Sequence, residues 1–306
     1  MADLPQNAVS SGTAPIALFT FARPDHTART LEALAANQLA RQSDLIIFQD
    51  GPRPDTDPAA HEETTRIAET ATGFRSVRLV QREENLGLAG NLYSGVSEIL
   101  AEQESVIVVE DDVVTAPHFL SFMNQALGRY RHTGEVWHIS GWNYPIDHDG
   151  MDDAFLWRVM NCWGWATWAD RWQHFALDRE QIANRFDANM RQRFNLDGAH
   201  NFYGQIRDNL SGKRLTWAIF WYATIFLNGG LCLNPTRSLT QNIGHDGTGE
   251  NCGPGRARQN MDPERHAFSF PEELNENALA VSRVRRELRQ TGWRSRLRRI
   301  LELVTP

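Results

Sequence analysis

Three consecutive acids, Glu110, Asp111 and Asp112, interrupt the apolar run VIVVEDDVV at residues 106–114. A β-branched run of this kind predicts a buried strand. A buried carboxylate is costly unless a cation or a set of donors compensates it. Two adjacent carboxylates at a strand end suit a hard divalent cation, Mg²⁺ or Mn²⁺, which takes oxygen ligands and shares them with substrate phosphates. The other reading is a solvated turn of acids that follows a strand.

The preceding chain favours the first reading. IALFTF (16–21), LIIFQ (45–49), VRLVQ (77–81) and VIVVE (106–110) read as strands, and VWHIS (136–140) as a fifth. Helical patterns over 27–40, 58–72, 88–100 and 118–130 separate them. Such alternation predicts an α/β fold, an open and mostly parallel central sheet flanked by helices with right-handed crossovers. Ligands of such sheets bind at the carboxyl ends of the strands. Arg23, Asp50, Asn85 and the acid triplet follow four successive strands, the arrangement of a nucleotide–metal site.

Beyond residue 150 the sequence becomes aromatic and less regular. Nine of the ten tryptophans lie between Trp137 and Trp221. Trp163, Trp165, Trp168 and Trp172 in WGWATWADRW could form a platform for a sugar ring. Trp165, Trp168 and Trp172 also fit helical spacing, which core packing explains equally well. LTWAIFWYATIFL (215–227) is shorter than the roughly 20 apolar residues that cross a bilayer, so a buried core helix is predicted.

Charge is unevenly spread. The chain carries −7, yet residues 283–299 hold eight Arg and one Glu, +7, so the remainder carries −14. An acidic body argues against nucleic acid as a partner. The basic stretch, with Val284, Leu288, Trp293, Leu297, Ile300 and Leu301 near helical spacing, suits either an interfacial helix on an anionic membrane through 283–301 or a solvated terminal helix. Three widely spaced cysteines, Cys162, Cys232 and Cys252, suggest neither a disulfide framework nor structural zinc. Residues 1–14 read as a flexible leader without the features of a signal peptide, and the expected location is cytoplasmic, including the inner face of a membrane.

FTFARPDHTARTLEAL, FQDGPR, ENLGLAGNLYSGV and VIVVEDDVVTAPHFLSFMNQAL, in this order, resemble GT-A fold glycosyltransferases over about residues 15–250. The nearest resemblance is to the inverting N-acetylglucosaminyltransferase I type and bacterial family 2 enzymes. The resemblance implies a nucleotide-sugar-binding half (15–150) and an acceptor-binding half of the same domain (151–260); the charge and spacing of the remainder read as a basic helical extension (261–306). It implies that Asp112 binds Mn²⁺ or Mg²⁺, that Asp111 and Glu110 face the donor's ribose and sugar, and that Arg23 and Asp50 hold the nucleotide, Asp50 at the uracil edge. Asn85 or Asn91 would add a nucleotide contact, and the stretch Trp163, Gly164 and Trp165 would line the acceptor site. His245 could be a further metal ligand or phosphate contact, or neither.

One position departs from the pattern. Relatives carry an acid after the Trp of a T-W-D-type segment, where this chain reads LTWAIFW with Ala218. A methyl group accepts no proton, so Asp246 and Asp170 become the candidate bases. Each also has a plain structural reading, Asp246 as a turn-former and Asp170 as a surface or capping carboxylate. The expected activity is metal-dependent inverting transfer of a sugar, from UDP above all, to a glycan or lipid-linked saccharide hydroxyl in bacterial surface polysaccharide synthesis. The alternatives are an impaired nucleotide-sugar-binding protein and a nucleotidyltransferase, although FTFARPDHT lacks the glycine-rich phosphate loop of the latter.

Overall fold

The structure, a computed structural model, describes residues 12–247, 261 and 268–304, with side chains up to Thr291 in the last helix. The first half follows the predicted alternation: β1 (Ile16–Thr20), α1 (Pro24–Ala35), β2 (Asp44–Gln49), α2 (Pro58–Glu69), β3 (Ser76–Gln81), α3 (Gly87–Leu100) and β4 (Ser105–Glu110). These strands lie parallel in the order β3-β2-β1-β4. Their side chains alternate between two cores. Ile16, Leu18, Leu45, Ile47, Ile107 and Val109 belong to one, and Ala17, Phe19, Ile46, Phe48, Val106 and Val108 to the other. Burial on both faces requires β1, β2 and β4 to be strands without a polar side, whereas the edge strand β3 alternates exposed Ser76 and Arg78 with half-buried Val77 and Leu79.

After the acid triplet come a short β5 (Val113–Thr115), α4 (Phe119–Tyr130) and β6 (Val136–Ser140). The second half adds β7 (Ala154–Trp157), β8 (Trp165–Trp168), α5 (Ala169–Trp172), α6 (Arg179–Asn184), α7 (Ala188–Phe194), α8 (Phe202–Leu210), α9 (Ala218–Leu227), β9 (Leu231–Pro235), β10 (Thr240–Asn242) and α10 (Ala278–Val304). The full sheet runs β3-β2-β1-β4-β8-β6-β9-β7. It is parallel in four of its seven pairings, with β8 inserted antiparallel between β4 and β6 and β7 antiparallel to β9.

That insertion corrects the helical reading of the Trp-rich stretch. WATW is a strand buried on both faces, because Trp165 and Trp168 each find a core on opposite sides of the sheet. Only Trp172 lies on a helix. By contrast, α9 is the predicted core helix, its residues from Ile219 to Ile225 all buried. Around it Trp165 stacks on Trp217 at 5.3 Å, and Trp172 meets Trp221 edge-on at 5.1 Å.

The basic terminal segment is helical in backbone. Its first turns dock on the body through Ala280, Val281 and Val284, and Glu276 just ahead of it pairs with Arg158. The side chains of Trp293, Leu297, Ile300 and Leu301 lie outside the described residues, as do residues 1–11 of the expected leader and Cys252. Among the described residues no helix is long and apolar enough to cross a membrane.

Candidate active site

The strand register brings the polar residues together. Phe19 pairs with Phe48 on one side and with Glu110 on the other, so β1, β2 and β4 end level. Backbone bonds extend that alignment past the strands: Asp50 N–H donates to Thr20 O at 3.0 Å, and Asp111 N–H to Phe19 O at 3.0 Å. The Thr30 hydroxyl of α1 donates to Asp111 O at 2.7 Å and fixes the turn from behind. A cavity of about 700 Å³ opens over these ends. Its lining includes Arg23, Asp50, Asn85, Asn91, Glu110, Asp111, Asp112 and Trp163, which the sequence had singled out.

Asp111 and Asp112 are almost wholly buried, and Arg23 answers both. Pro24 begins α1, which leaves Arg23 at its N-cap reaching back over β4. Its Nε donates to Asp111 Oδ2 at 3.2 Å, its Nη2 donates to Asp111 Oδ1, and Nη2 stands 3.0 Å from Asp112 Oδ2. Burial opposes the Arg23 charge, but Asp111 and then Asp112 outweigh it and raise its pKa above the ordinary value. Burial lifts the Asp111 pKa while Arg23 pulls it down, and the net direction is up. Burial, then Asp112 and Asp111, push the Glu110 pKa upward, against a hydrogen bond from the Trp217 side chain. The remaining Arg23 nitrogen, Nη1, is buried and finds no hydrogen-bond partner among the described residues. An unmet buried donor costs about 1–3 kcal/mol, which favours an acceptor oxygen that enters the cavity beside Nη1.

The second half closes over Asp112. β10 pairs antiparallel with β5, Asn242 opposite Val113. Asn242 Nδ2 donates to Asp112 Oδ1 at 3.0 Å while its Oδ1 accepts from Gly244 N–H at 2.9 Å. Ile243 N–H donates to Asp112 O at 2.8 Å. A Cβ at Gly244 would fall 2.2 Å from Asp112 Oδ2, so any larger residue there has to displace the Asp112 carboxylate. His245 meets the Trp163 ring edge-on at 5.6 Å, and Asp246 Oδ2 stands 3.1 Å from His26 Nε2 on α1.

The nucleotide-side residues serve one another. Asp50 accepts from Leu86 N–H at 2.8 Å, Gly51 N–H at 3.1 Å and Asn85 Nδ2 at 3.2 Å, so it organises the turn entering α3. Burial raises its pKa, against those backbone bonds. Asn91 is held by Arg82 Nε at 3.0 Å and Phe48 O at 3.2 Å.

Gly164 takes φ +71° and sends its neighbours to opposite sides. Trp163 faces the cavity, edge-on to Trp142 at 4.8 Å. Trp165 turns into the core with no exposed surface, stacked on His138 at 5.4 Å; the structure therefore places it outside the cavity wall. Asp170 is also outside, exposed on α5 against Arg171. Ala218 does line the cavity.

Trp142, Tyr144, Asn161, His200, Trp217 and Asn242 also line it and were not singled out from the sequence. Trp142 and Tyr144 follow β6 as Asp50 follows β2, a signal of the same kind. Asn242 gave none, since only the β5–β10 pairing brings it to Asp112.

The donor set fits Mg²⁺ or Mn²⁺ in kind: hard carboxylate oxygens on a cavity wall. Among the described residues no group of three or more His, Cys, Asp and Glu surrounds one point. Asp112 and Asp111 would thus supply one or two bonds and leave the rest to phosphate oxygens and water, as Mg²⁺ sites commonly do.

Comparison with known proteins bears on this site. The family model for glycosyl transferase family 2 matches residues 16–206. Among solved structures, a mannosyltransferase of Pyrobaculum calidifontis in complex with GDP-Man and Mn²⁺ is similar at 12% identity, covering 71% of this chain and 70% of that one, with a TM-score of 0.37. TarS of S. aureus in complex with UDP is similar at 14% identity, covering 45% of this chain and 40% of that one, with a TM-score of 0.33.

Proposed function

The chain belongs to glycosyl transferase family 2, and from that premise we propose a metal-dependent, inverting enzyme that moves a sugar from UDP to a glycan or lipid-linked saccharide hydroxyl. The observation that carries this reading is the buried Asp111–Asp112 pair, bridged by Arg23 on the wall of a large cavity at the strand ends. Glycosyl transfer breaks the bond from the anomeric carbon to a phosphate oxygen, and the electron pair stays on the diphosphate. Stabilising that developing charge is the main catalytic demand. A Mn²⁺ or Mg²⁺ ion held by Asp112 supplies Lewis-acid charge to the diphosphate.

The chain's own residues do the rest. Arg23 offers guanidinium donors to phosphate oxygens. Asp50 and Asn85, joined in one hydrogen-bonded turn, receive the base, with Asp50 accepting from the uracil edge and Asn91 supporting the same wall. Glu110 and Asp111 face the sugar and ribose. Trp163, with Trp142 and Tyr144 behind it, gives the acceptor sugar an apolar surface on which to stack. The acceptor oxygen attacks the face opposite the diphosphate and yields its proton to a base. Asp246 is the nearer candidate, two residues beyond the Gly244 that abuts Asp112; Asp170 is the more remote. The setting proposed is bacterial surface polysaccharide synthesis at the inner face of the membrane.

A thermal-shift screen of nucleotide sugars with and without Mn²⁺ tests the proposal. One UDP-sugar should raise the melting temperature in a Mn²⁺-dependent manner, and Asp112→Ala should abolish both the shift and turnover. A chain that responds to no nucleotide would sink the reading.

A further inference from the structure

Arg23 occupies the position where a cation would neutralise the acids. Its guanidinium fork bonds both carboxylate oxygens of Asp111, and the same Nη2 lies 3.0 Å from Asp112 Oδ2. Asp112 Oδ2 is the oxygen left for a divalent ion, because Asp112 Oδ1 already accepts from Asn242 Nδ2 at 3.0 Å. We infer that Arg23 is the resident counter-ion of the Asp111–Asp112 pair, which must release Asp112 Oδ2 for a cation to bind, so that cation and donor diphosphate load together.

Crowding of cations gives the reason. Glu110, Asp111 and Asp112 all lie close enough to Arg23 for their charges to interact. A divalent ion that takes Asp112 Oδ2 sets a second cation beside the guanidinium while removing one of its partners. Like charges held together in a largely buried site are unfavourable. A diphosphate offsets that repulsion, and it offers Arg23 an oxygen to replace the one it gives up. The geometry has the exchange half prepared. Nη1 is buried, without a hydrogen-bond partner among the described residues, and sits beside Gly244 over Asp112. A phosphate oxygen meets that unused donor, which no rearrangement within the acid pair does. Arg23 anchors one end of this motion as the residue before Pro24, where the helix begins and the backbone is set.

Removing the guanidinium should therefore tighten cation binding, the opposite of what a simple ligand-set residue does. With Arg23 gone, a divalent ion meets the acids without a competing cation. The inference rests on the nucleotide-donor reading for the identity of the second anion, and its test separates the two.

The experiment is Mn²⁺ titration of the full chain followed by electron paramagnetic resonance of free Mn²⁺, with and without UDP. The wild type should bind Mn²⁺ weakly alone and about tenfold or more tightly with UDP, the range of ordinary coupling between sites. Arg23→Gln should bind Mn²⁺ alone about tenfold more tightly than wild type, bind UDP more weakly, and lose most of the coupling. Arg23→Lys keeps the charge but not the fork, holds one carboxylate at a time, and should fall between them. Should Arg23→Gln fold only when Mn²⁺ is present, its melting temperature against Mn²⁺ concentration gives the same affinity; should it not fold at all, Arg23→Lys against wild type decides. Unchanged or weaker Mn²⁺ affinity in the variant that decides overturns the inference. If UDP and GDP leave wild-type Mn²⁺ binding unaltered, the nucleotide-donor reading is what fails.

Discussion

Gly244 shows how a single missing methyl can protect a site. Its α-carbon faces Asp112, and a Cβ would fall 2.2 Å from Oδ2. Gly244→Ala should displace the Asp112 carboxylate and weaken Mn²⁺-dependent nucleotide binding by about tenfold or more, with a stability loss of about 1–3 kcal/mol from overpacking; isothermal titration and urea melts would check the two effects. Asp50 bears on acidity. Its raised pKa means the carboxylate takes up its proton at higher pH than an ordinary Asp. If it accepts from the base edge only when ionised, nucleotide affinity should fall about tenfold per pH unit below that raised value, and Asp50→Asn should flatten this limb. An acid limb unchanged in Asp50→Asn would remove Asp50 from base recognition. For the base, Asp246→Asn should lower kcat by about 10²–10⁴ with donor binding retained; loss of donor binding with kcat preserved would instead assign Asp246 to its contact with His26. Chemical type made Asp112, Arg23 and Asp50 legible in the sequence. The Asn242 and Gly244 contacts were not, because they depend on a pairing between segments more than 120 residues apart.

At the scale of elements, the Trp-rich stretch separates two roles that residue type alone could not. Trp163 and Trp165 flank a glycine with φ +71° and part into cavity and core. Trp165→Ala should cost about 3–5 kcal/mol of stability, read by denaturant unfolding. Trp163→Ala, at a half-buried residue packed on Trp142, should cost less stability than Trp165→Ala and raise the acceptor KM. Equal stability losses would show that both serve packing. β1, β2 and β4 were legible because fully apolar runs bounded by polar residues have few other readings, and β3 because VRLVQ alternates polar with apolar residues. WATW was not, since a tryptophan spacing of three and four residues matches helical periodicity, and only the room between β4 and β6 selects a strand.

Over the whole molecule, the charged terminal helix joins an acidic body by an apolar and ionic root: Ala280, Val281 and Val284 in the core, and Glu276 on Arg158. A chain ending at Thr291 keeps that root, so it should melt within a few degrees of the full chain, while binding to phosphatidylglycerol vesicles in a sedimentation assay should fall. Vesicle binding undiminished by the truncation would sink the membrane role of residues 292–301. The halves on either side of residue 150 read in sequence as two parts of one domain, one regular and one aromatic. The structure interleaves them: β8 lies between β4 and β6 in the central sheet, and the ribbon of β5 and β10 brings Asn242, Ile243 and Gly244 onto Asp112. This sets a rule for recombining such enzymes. A chimera that grafts a foreign acceptor half after residue 150 imports a stranger's version of residues 240–244, and with it an untested grip on the host's own cation ligand. A viable crossover keeps host β8 and residues 240–244 with the donor half, so new acceptor specificity would have to be spliced in between them.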